Sequence, residues 1–458
     1  MAYPFIQVKT STQLAVKNQA ISSQGSFCAG ENELAADYLG TRQNHRHPLE
    51  YKDSRPSNVD ENGVIIDALP DKFNQTRQLA YNRRNAARHL LPKERVAWCG
   101  RRIFNKVMPE DGKVVHLVKS LIHGKVSVHG VGSCNSPWNC PTCSAKIAAR
   151  RVEKEILPVM DAHKAAGRSC LLVTFTAPHT RQDKLDAFTD AISKALSRFY
   201  ENASFKGKHG KESQNCIKTR WGWMGRVRGL ETTHGDENGW HSHFHEIWFM
   251  ERELSQQEMA QLKLEIYALW VRTCERSGLG TPSFEHGIDV QDGSAAGKYV
   301  AKLGKAERKG TNWGMEHEVA KGNLKKGKGN SRSPFQLLDD FMDGDKQAGA
   351  LFLEYTRAFK RRHLLSWSKG MLSMYNIKEH TDEELIALEE DIGERVISLT
   401  KKEWKLVTRT SKGSHISQVP TVLELAEYGG EEAVRCFIDG YSIKKKRTTE
   451  RAGRNDCE

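Results

Sequence analysis

The chemistry of this chain concentrates in one stretch, Gly239-Trp-His-Ser-His-Phe-His-Glu-Ile-Trp248, with histidines at 241, 243 and 245. Side chains of a β-strand alternate between two faces, so two-residue spacing projects His241, His243 and His245 from one side. Imidazole is a common metal ligand, and two or three on one rigid face make half a coordination sphere. The plainer alternatives are a polar strand face with incidental histidines, or a tag, which a mid-chain, aromatic-flanked His-Phe-His does not resemble. Glu231, at the end of the preceding strand, is the nearest carboxylate that could join the set. Directly opposed residues of an antiparallel pair share a face. With Thr232 opposite Trp240, Glu231 joins the histidines; with Thr233 there, it points away, and the sequence leaves both registers open. A site with three or fewer protein ligands keeps positions for phosphate oxygens, where a cation serves as Lewis acid and clamp.

Two further groups carry chemistry. Cys134-Asn-Ser-Pro-Trp-Asn-Cys140-Pro-Thr-Cys143 contains a Cys-x-x-Cys, whose thiolates can grip one tetrahedral ion. Cys134 supplies a third sulfur and Cys99 a fourth, with His116, His123 and His129 competing for that last place. The rival redox reading lacks a surrounding βαβ pattern. Just beyond, Arg150 and Arg151 suit phosphate contact, unless they belong to an ordinary solvated helix face. The second group is Lys298-Tyr299-Val-Ala-Lys302. On a helix Lys302 lies beside Tyr299. A phenol of pKa about 10 is a weak nucleophile at neutral pH, and a nearby ammonium or metal favours its phenolate. Taken alone, Tyr-x-x-Lys is too short to be specific and better fits a tyrosine packed against a sheet.

The elements that must position these groups can be read from periodicity. Residues 171–176 (Leu-Leu-Val-Thr-Phe-Thr) form a buried strand closed by Ala-Pro-His. Residues 185–200 carry apolar side chains at helical spacing. Strands at about 225–233 and 240–249 flank a turn-rich 234–239 and so form a hairpin. Residues 255–276 form a helix opened by a Ser255/Glu258 capping box, followed by a strand at 287–291 and a helix at 295–305. The fold class is α+β: a central antiparallel sheet with helices packed on it, preceded by a zinc-binding segment and followed by a mostly helical region. The expected division is 1–90, polar, partly disordered and without chemistry; 91–155, the cysteine segment; 156–310, the sheet core; and 311–458, basic and helical. The last part includes Lys325 and Lys326 in a basic stretch.

Among the 458 residues, 70 Lys+Arg stand against 57 Asp+Glu, a net charge of +13. Such an excess favours an anionic partner, nucleic acid before membrane, or else marks a merely basic enzyme. No apolar run approaches the roughly 18 residues of a membrane span. The first residues lack the pattern of a secretory signal, and ten cysteines with a single cluster suit a reducing cytoplasm.

Together these pieces resemble the rolling-circle replication initiators of small plasmids, within the HUH endonuclease superfamily, whose histidine motif reads Trp-His-Pro-His-x-His. The resemblance rests on the strand 171–176, Gly-Trp-His-Ser-His-Phe-His at 239–245, His-Gly-Ile-Asp-Val at 286–290 leading to Gly-Lys-Tyr-Val-Ala-Lys at 297–302, and the upstream Cys-Pro-Thr-Cys. It covers roughly residues 95 to 370, including Ser-Arg-Ser-Pro-Phe-Gln-Leu-Leu at 331–338. It implies an HUH-like core in which His243 and His245 bind Mg²⁺ or Mn²⁺. It also implies that Tyr299 attacks a phosphodiester of the plasmid origin, leaving a 5′-phosphotyrosine and a free 3′-hydroxyl, with Lys302 assisting. The implied partners are origin DNA, contacted by Arg150, Arg151, Lys298, Lys325 and Lys326, and a host helicase and DNA polymerase; self-association is left open. The implied cofactors are that divalent cation and a structural Zn²⁺. Relatives often carry a glutamate four residues before the tyrosine, where this chain has Ala295, and Ser242 replaces the motif's proline. Another carboxylate, such as Glu231 or Glu246, or another tyrosine could take over the missing glutamate's role. An HUH transposase or relaxase, or a non-catalytic zinc-containing DNA-binding regulator, are the alternatives.

Overall fold

In the computed structural model the described residues are 72–104, 114–121, 124–208, 215–293, 331–388, 393–411 and 413–440. Helix α1 (Lys72–Leu90) precedes strands β1 (Val114–Ser120) and β2 (Val126–His129), helices α2 (Pro141–Arg151) and α3 (Leu157–Ala165), strand β3 (Ser169–Thr176) and helix α4 (Leu185–Glu201). Then come β4 (Trp223–Gly235), β5 (Gly239–Met250), the helix Gln256–Glu275 and β6 (Ile288–Asp292). Beyond these lie β7 (Ser331–Arg332), the helix Lys346–Ala358, β8 (Leu365–Trp367), β9 (Gly393–Thr400) and the helix Val419–Tyr428. All belong to one compact unit, Pro70–Glu458. The architecture is α+β with antiparallel sheets, as the periodicity suggested.

The larger sheet runs β6-β3-β5-β4-β7, with β8 also on β4. β5 lies inside it, hydrogen-bonded along its length to β4 and for eight residues to β3. Its two faces follow from alternation. Phe175, Phe244, Trp248 and Ile288 lie on one side, where Phe175 meets Phe199 of α4 and Trp270 of Gln256–Glu275, each with ring centroids 5.2 Å apart. On the other side Val227, Ile247 and Phe249 are buried, and Phe249 packs against His163 of α3 and stacks on Trp367 of β8. This cover reaches only part of the way, so the imidazoles of β5 are half-buried.

The Ser255/Glu258 capping box is present, with Ser255 accepting from the Glu258 N–H and Glu258 accepting from the Ser255 N–H. Two features depart from expectation. Residues 72–90, placed in a polar and partly ordered region, form a helix that buries Ala86 and Ala87. The stretch beyond 376, expected to be mostly helical, supplies β9, which pairs with β1 across more than 270 residues to complete the smaller sheet, β2-β1-β9. Its alternating Ile397 and Leu399 join Val115 and Leu117 against Val419–Tyr428, a pattern too short to read without its partner strand.

Phe175→Ala, which removes the ring shared by the sheet and two helices, is expected to cost about 3–5 kcal/mol. Ser255→Ala, which removes only a cap, should cost ~1 kcal/mol. Urea unfolding followed by tryptophan fluorescence checks the order and the gap.

Candidate metal centres

The β4–β5 hairpin closes on a three-residue turn, 236–238, with Gly235 opposite Gly239. Gly239, just after the turn, takes φ +71°, the left-handed geometry with which such a turn rejoins the ladder. The resulting register places His234 opposite Trp240, Thr233 opposite His241 and Glu231 opposite His243. Neither register weighed from the sequence is the one found, but parity puts Glu231 on the histidine face. Its Oε2 lies 3.2 Å from His245 Nε2 and 3.8 Å from His243 Nε2, and those two nitrogens stand 3.0 Å apart. Ligands held at 2.0–2.1 Å at right angles about an ion are separated by about 3 Å. Glu231, His243 and His245 could therefore hold one divalent ion. The His245 ring is held at Nδ1 by Thr174 Oγ1 (3.0 Å), which orients its Nε2 toward the place such an ion would occupy.

His241 shares the face without joining the trio. Its Nδ1 lies 3.3 Å from Nδ1 of His179, just beyond the end of β3, so the expected fourth member is turned to a different neighbour. Burial, then the neighbouring His179, holds His241 down at about 4. Burial likewise lowers His179. Both rings are therefore neutral at physiological pH. His179 was not singled out from the sequence; its position after a strand-ending proline is the signal that was there to be read.

Glu246, one residue beyond His245, falls on the opposite face and is fully buried. It accepts from Arg228 Nε, Tyr200 Oη and Trp248 Nε1, with Arg226 3.6 Å away. Burial raises its pKa, but the two guanidiniums and the Tyr200 and Trp248 donors outweigh that and hold it below the usual value. A carboxylate so enclosed cannot serve the histidine face, which removes it as a stand-in for the residue replaced by Ala295.

The four cysteines come together from three parts of the chain. Cys99 follows a short helical turn, Cys134 sits in a loop, Cys140 caps α2 and Cys143 lies in its first turn. Sulfur–sulfur distances are 3.7 Å for Cys99–Cys140, 3.6 Å for Cys99–Cys143 and 3.7 Å for Cys134–Cys143. Four sulfurs at about 2.3 Å around a tetrahedral ion stand about 3.8 Å apart, so the set fits zinc. Cys99 takes the fourth place: His116 is bonded to Ser398 Oγ (2.8 Å) and His129 to Ser127 Oγ (2.9 Å), while His123 lies outside the described residues. Burial alone would raise the Cys140 thiol, yet hydrogen bonds from the other three cysteines and the charge of Arg84 bring it well below its usual value. The α2 N-terminus favours the same thiolate. Arg84 of α1 donates to Thr142 Oγ1 (3.3 Å), and Arg88 of α1 donates to the Cys99 carbonyl. This helix was expected to carry no chemistry.

Of the residues expected at DNA, Arg151 is committed internally, donating to Glu155 (2.9 Å) and Asp382 (2.9 Å) with its side chain 11% exposed. Arg150 lies 3.5 Å from Glu153. Lys298, Tyr299, Lys302, Lys325 and Lys326 lie outside the described residues. A cleft of about 1220 Å³ opens beside the cysteines, and Arg77, Arg84, Lys146 and Arg395 line it together with His116, His129, Phe104 and Trp404, with none of the β5 histidines among its walls.

No protein-family model matches the chain, and no solved structure matches it. The chain is 26% identical over 355 residues to a protein named Protein rep from Streptomyces lividans, across 64% of this chain and 76% of that one. It is also 35% identical over 133 residues to a Neomycin resistance protein from Streptomyces cyanogenus, across 26% of this chain and 30% of that one. The first similarity is in keeping with the resemblance seen in the motifs.

Glu246→Gln leaves two buried guanidiniums uncompensated and is expected to cost about 3–5 kcal/mol. Because the folded carboxyl titrates below the unfolded one, its stabilisation is complete above about pH 4.5 and disappears as pH falls through the lower folded value. Urea titrations between pH 3 and 7 should show a shallower acid limb for the variant than for the wild type.

Proposed function

We propose that this chain is a plasmid rolling-circle replication initiator that nicks and transfers one strand of its origin through a tyrosine. The observation that carries the reading is the convergence of Glu231, His243 and His245 on the open part of a rigid sheet face. The similarity to Protein rep supports it over at least three-fifths of the chain. A non-catalytic DNA-binding regulator would explain the charge and the cysteines but leaves that trio without a role.

Glu231, His243 and His245 would hold a Mg²⁺ or Mn²⁺ ion, which when bound supplies Lewis acidity toward a phosphate oxygen. Tyr299 would supply the nucleophile. Its phenol oxygen forms a bond to the origin phosphorus as the bond to the 3′ oxygen breaks, and the phenolic proton ends on that oxygen. The products are a 5′-phosphotyrosine and a 3′-hydroxyl, and the covalent link retains the energy needed for rejoining. Lys302, one helical turn on, would favour the phenolate. Since Ala295 offers no carboxylate and Glu246 is enclosed, termination falls to another group.

Cys99, Cys134, Cys140 and Cys143 would hold a structural zinc, and the basic, aromatic-lined cleft beside them would meet origin DNA. Binding through phosphates there would weaken steeply with salt.

Incubation with supercoiled plasmid carrying the cognate origin and Mg²⁺ is expected to yield nicked circles and a detergent-stable protein–DNA adduct. Tyr299→Phe, His243→Ala and excess EDTA should each abolish both products. An adduct formed by Tyr299→Phe would sink the nucleophile assignment, and nicking in EDTA would sink the metal.

Purified protein is also expected to contain one equivalent of zinc that is released by thiol modification. Cys140→Ser should lose the zinc and lower the melting temperature, read by metal analysis and circular dichroism.

A further inference from the structure

We propose that His179 and His241 form a second divalent-metal site beside the trio, selective for nitrogen-preferring transition ions such as Co²⁺ or Zn²⁺ over Mg²⁺. The two Nδ1 atoms are 3.3 Å apart. Two nitrogens at 2.0–2.1 Å from a tetrahedral ion are separated by about 3.3 Å, so the pair already has the bite of a chelate. The spacing also fits an N–H···N hydrogen bond, and the experiment below separates the two.

The pair is a product of the backbone. The β3–β5 ladder ends with Thr176 opposite His243. Pro178 has no N–H to continue it, and the chain leaves the sheet so that the next side chain, His179, meets His241, one step further along β5. The departing loop is fastened. Thr180 donates to Asp183 Oδ2 through its N–H (2.6 Å) and its hydroxyl (3.1 Å). Gly239 admits the loop closely, since a Cβ there would lie 3.0 Å from Arg181 Cα. The His179 ring rests against Phe188 of α4, centroids 5.7 Å apart. Imidazoles 179, 241, 243 and 245 thus form a continuous row, with neighbouring centroids 4.6, 4.9 and 4.7 Å apart.

Two imidazoles fill half of a four-coordinate shell, leaving two positions for water or phosphate oxygens. The pair itself supplies no oxygen ligand, and hard ions that prefer oxygen, Mg²⁺ above all, gain little from it. An ion here would lie next to one held by Glu231, His243 and His245, the arrangement in which two cations share a phosphodiester.

The test is a count of exchangeable metal. Full-length protein with its cysteine site loaded is dialysed against Co²⁺ and analysed for bound ion, with visible absorption reporting the coordination. His179→Ala and, as a milder change, His179→Gln are each expected to bind one equivalent less than wild type and to lose the absorption of a four-coordinate ion. His243→Ala should lose a different equivalent and keep that absorption. Excess Mg²⁺ should compete at the trio and leave the His179-dependent equivalent in place. Equal Co²⁺ content in wild type and both His179 variants would reduce the pair to a hydrogen bond and overturn the site, as would a wild type without a four-coordinate cobalt signal. The count does not depend on nicking, so its failure and that of the replication-initiator reading are told apart.

Discussion

A side chain on an internal strand has two directions open to it, one for each face of the sheet. β5 is hydrogen-bonded on both sides over the residues that matter, so its alternation cannot relax locally. A slip of one residue would drive His241, His243 and His245 into the layer formed by Phe199 and Trp270, and bring Phe244 and Trp248 out to the open face. The cost of that exchange holds the imidazoles in place more firmly than any contact they make with one another. β3 and β4 inherit the same order, and that is how Thr174 comes to face His245 and Glu231 to face His243.

The same parity separates two glutamates that the sequence offers as equals. Glu231 stands across from His243 on the half-open face, within reach of two imidazoles and of whatever they hold. Glu246 is adjacent to His245 in the chain but opposite in direction, and there Arg226, Arg228, Tyr200 and Trp248 enclose it completely. One carboxylate is available for chemistry; the other is part of the core, a charge kept charged by two guanidiniums.

Features governed by local rules were legible in the sequence. Period two put the three histidines on one face, Ser255 and Glu258 announced a helix start, and the Cys-x-x-Cys stood out by its spacing. What escaped reading depended on partners distant in the chain. The hairpin register was decided by the length of the turn, three residues closed by a glycine at positive φ. β9 has a strand's alternation only when set beside β1. Cys99 was named as the fourth sulfur, and only its preference over the three competing histidines is a tertiary fact, 41 residues from Cys140. His179 became visible only when Pro178 was seen to end the ladder opposite His241. The segment that carries Tyr299 lies outside the described residues, and its proposed role rests on the order of the motifs.

The cysteine cluster poses a charge problem whose answer bears on its contents. Arg84, Arg88 and Arg101 crowd beside it, and after burial it is their mutual repulsion that depresses Arg88 and Arg101. Buried guanidiniums set against one another are costly unless a negative centre lies among them. Four neutral thiols provide none, and four bare thiolates would be too strongly charged to bury. Four thiolates around one divalent ion carry two net negative charges, in a volume that the sulfur spacing already matches. Such a centre would also hold the surroundings together: Arg88 binds the Cys99 carbonyl from α1, and Trp404, following β9, donates to the next carbonyl, that of Gly100 (3.1 Å). Segments from both ends of the compact unit meet on the backbone of this one loop. The proposed zinc would therefore support the walls of the basic cleft as well as its own four ligands.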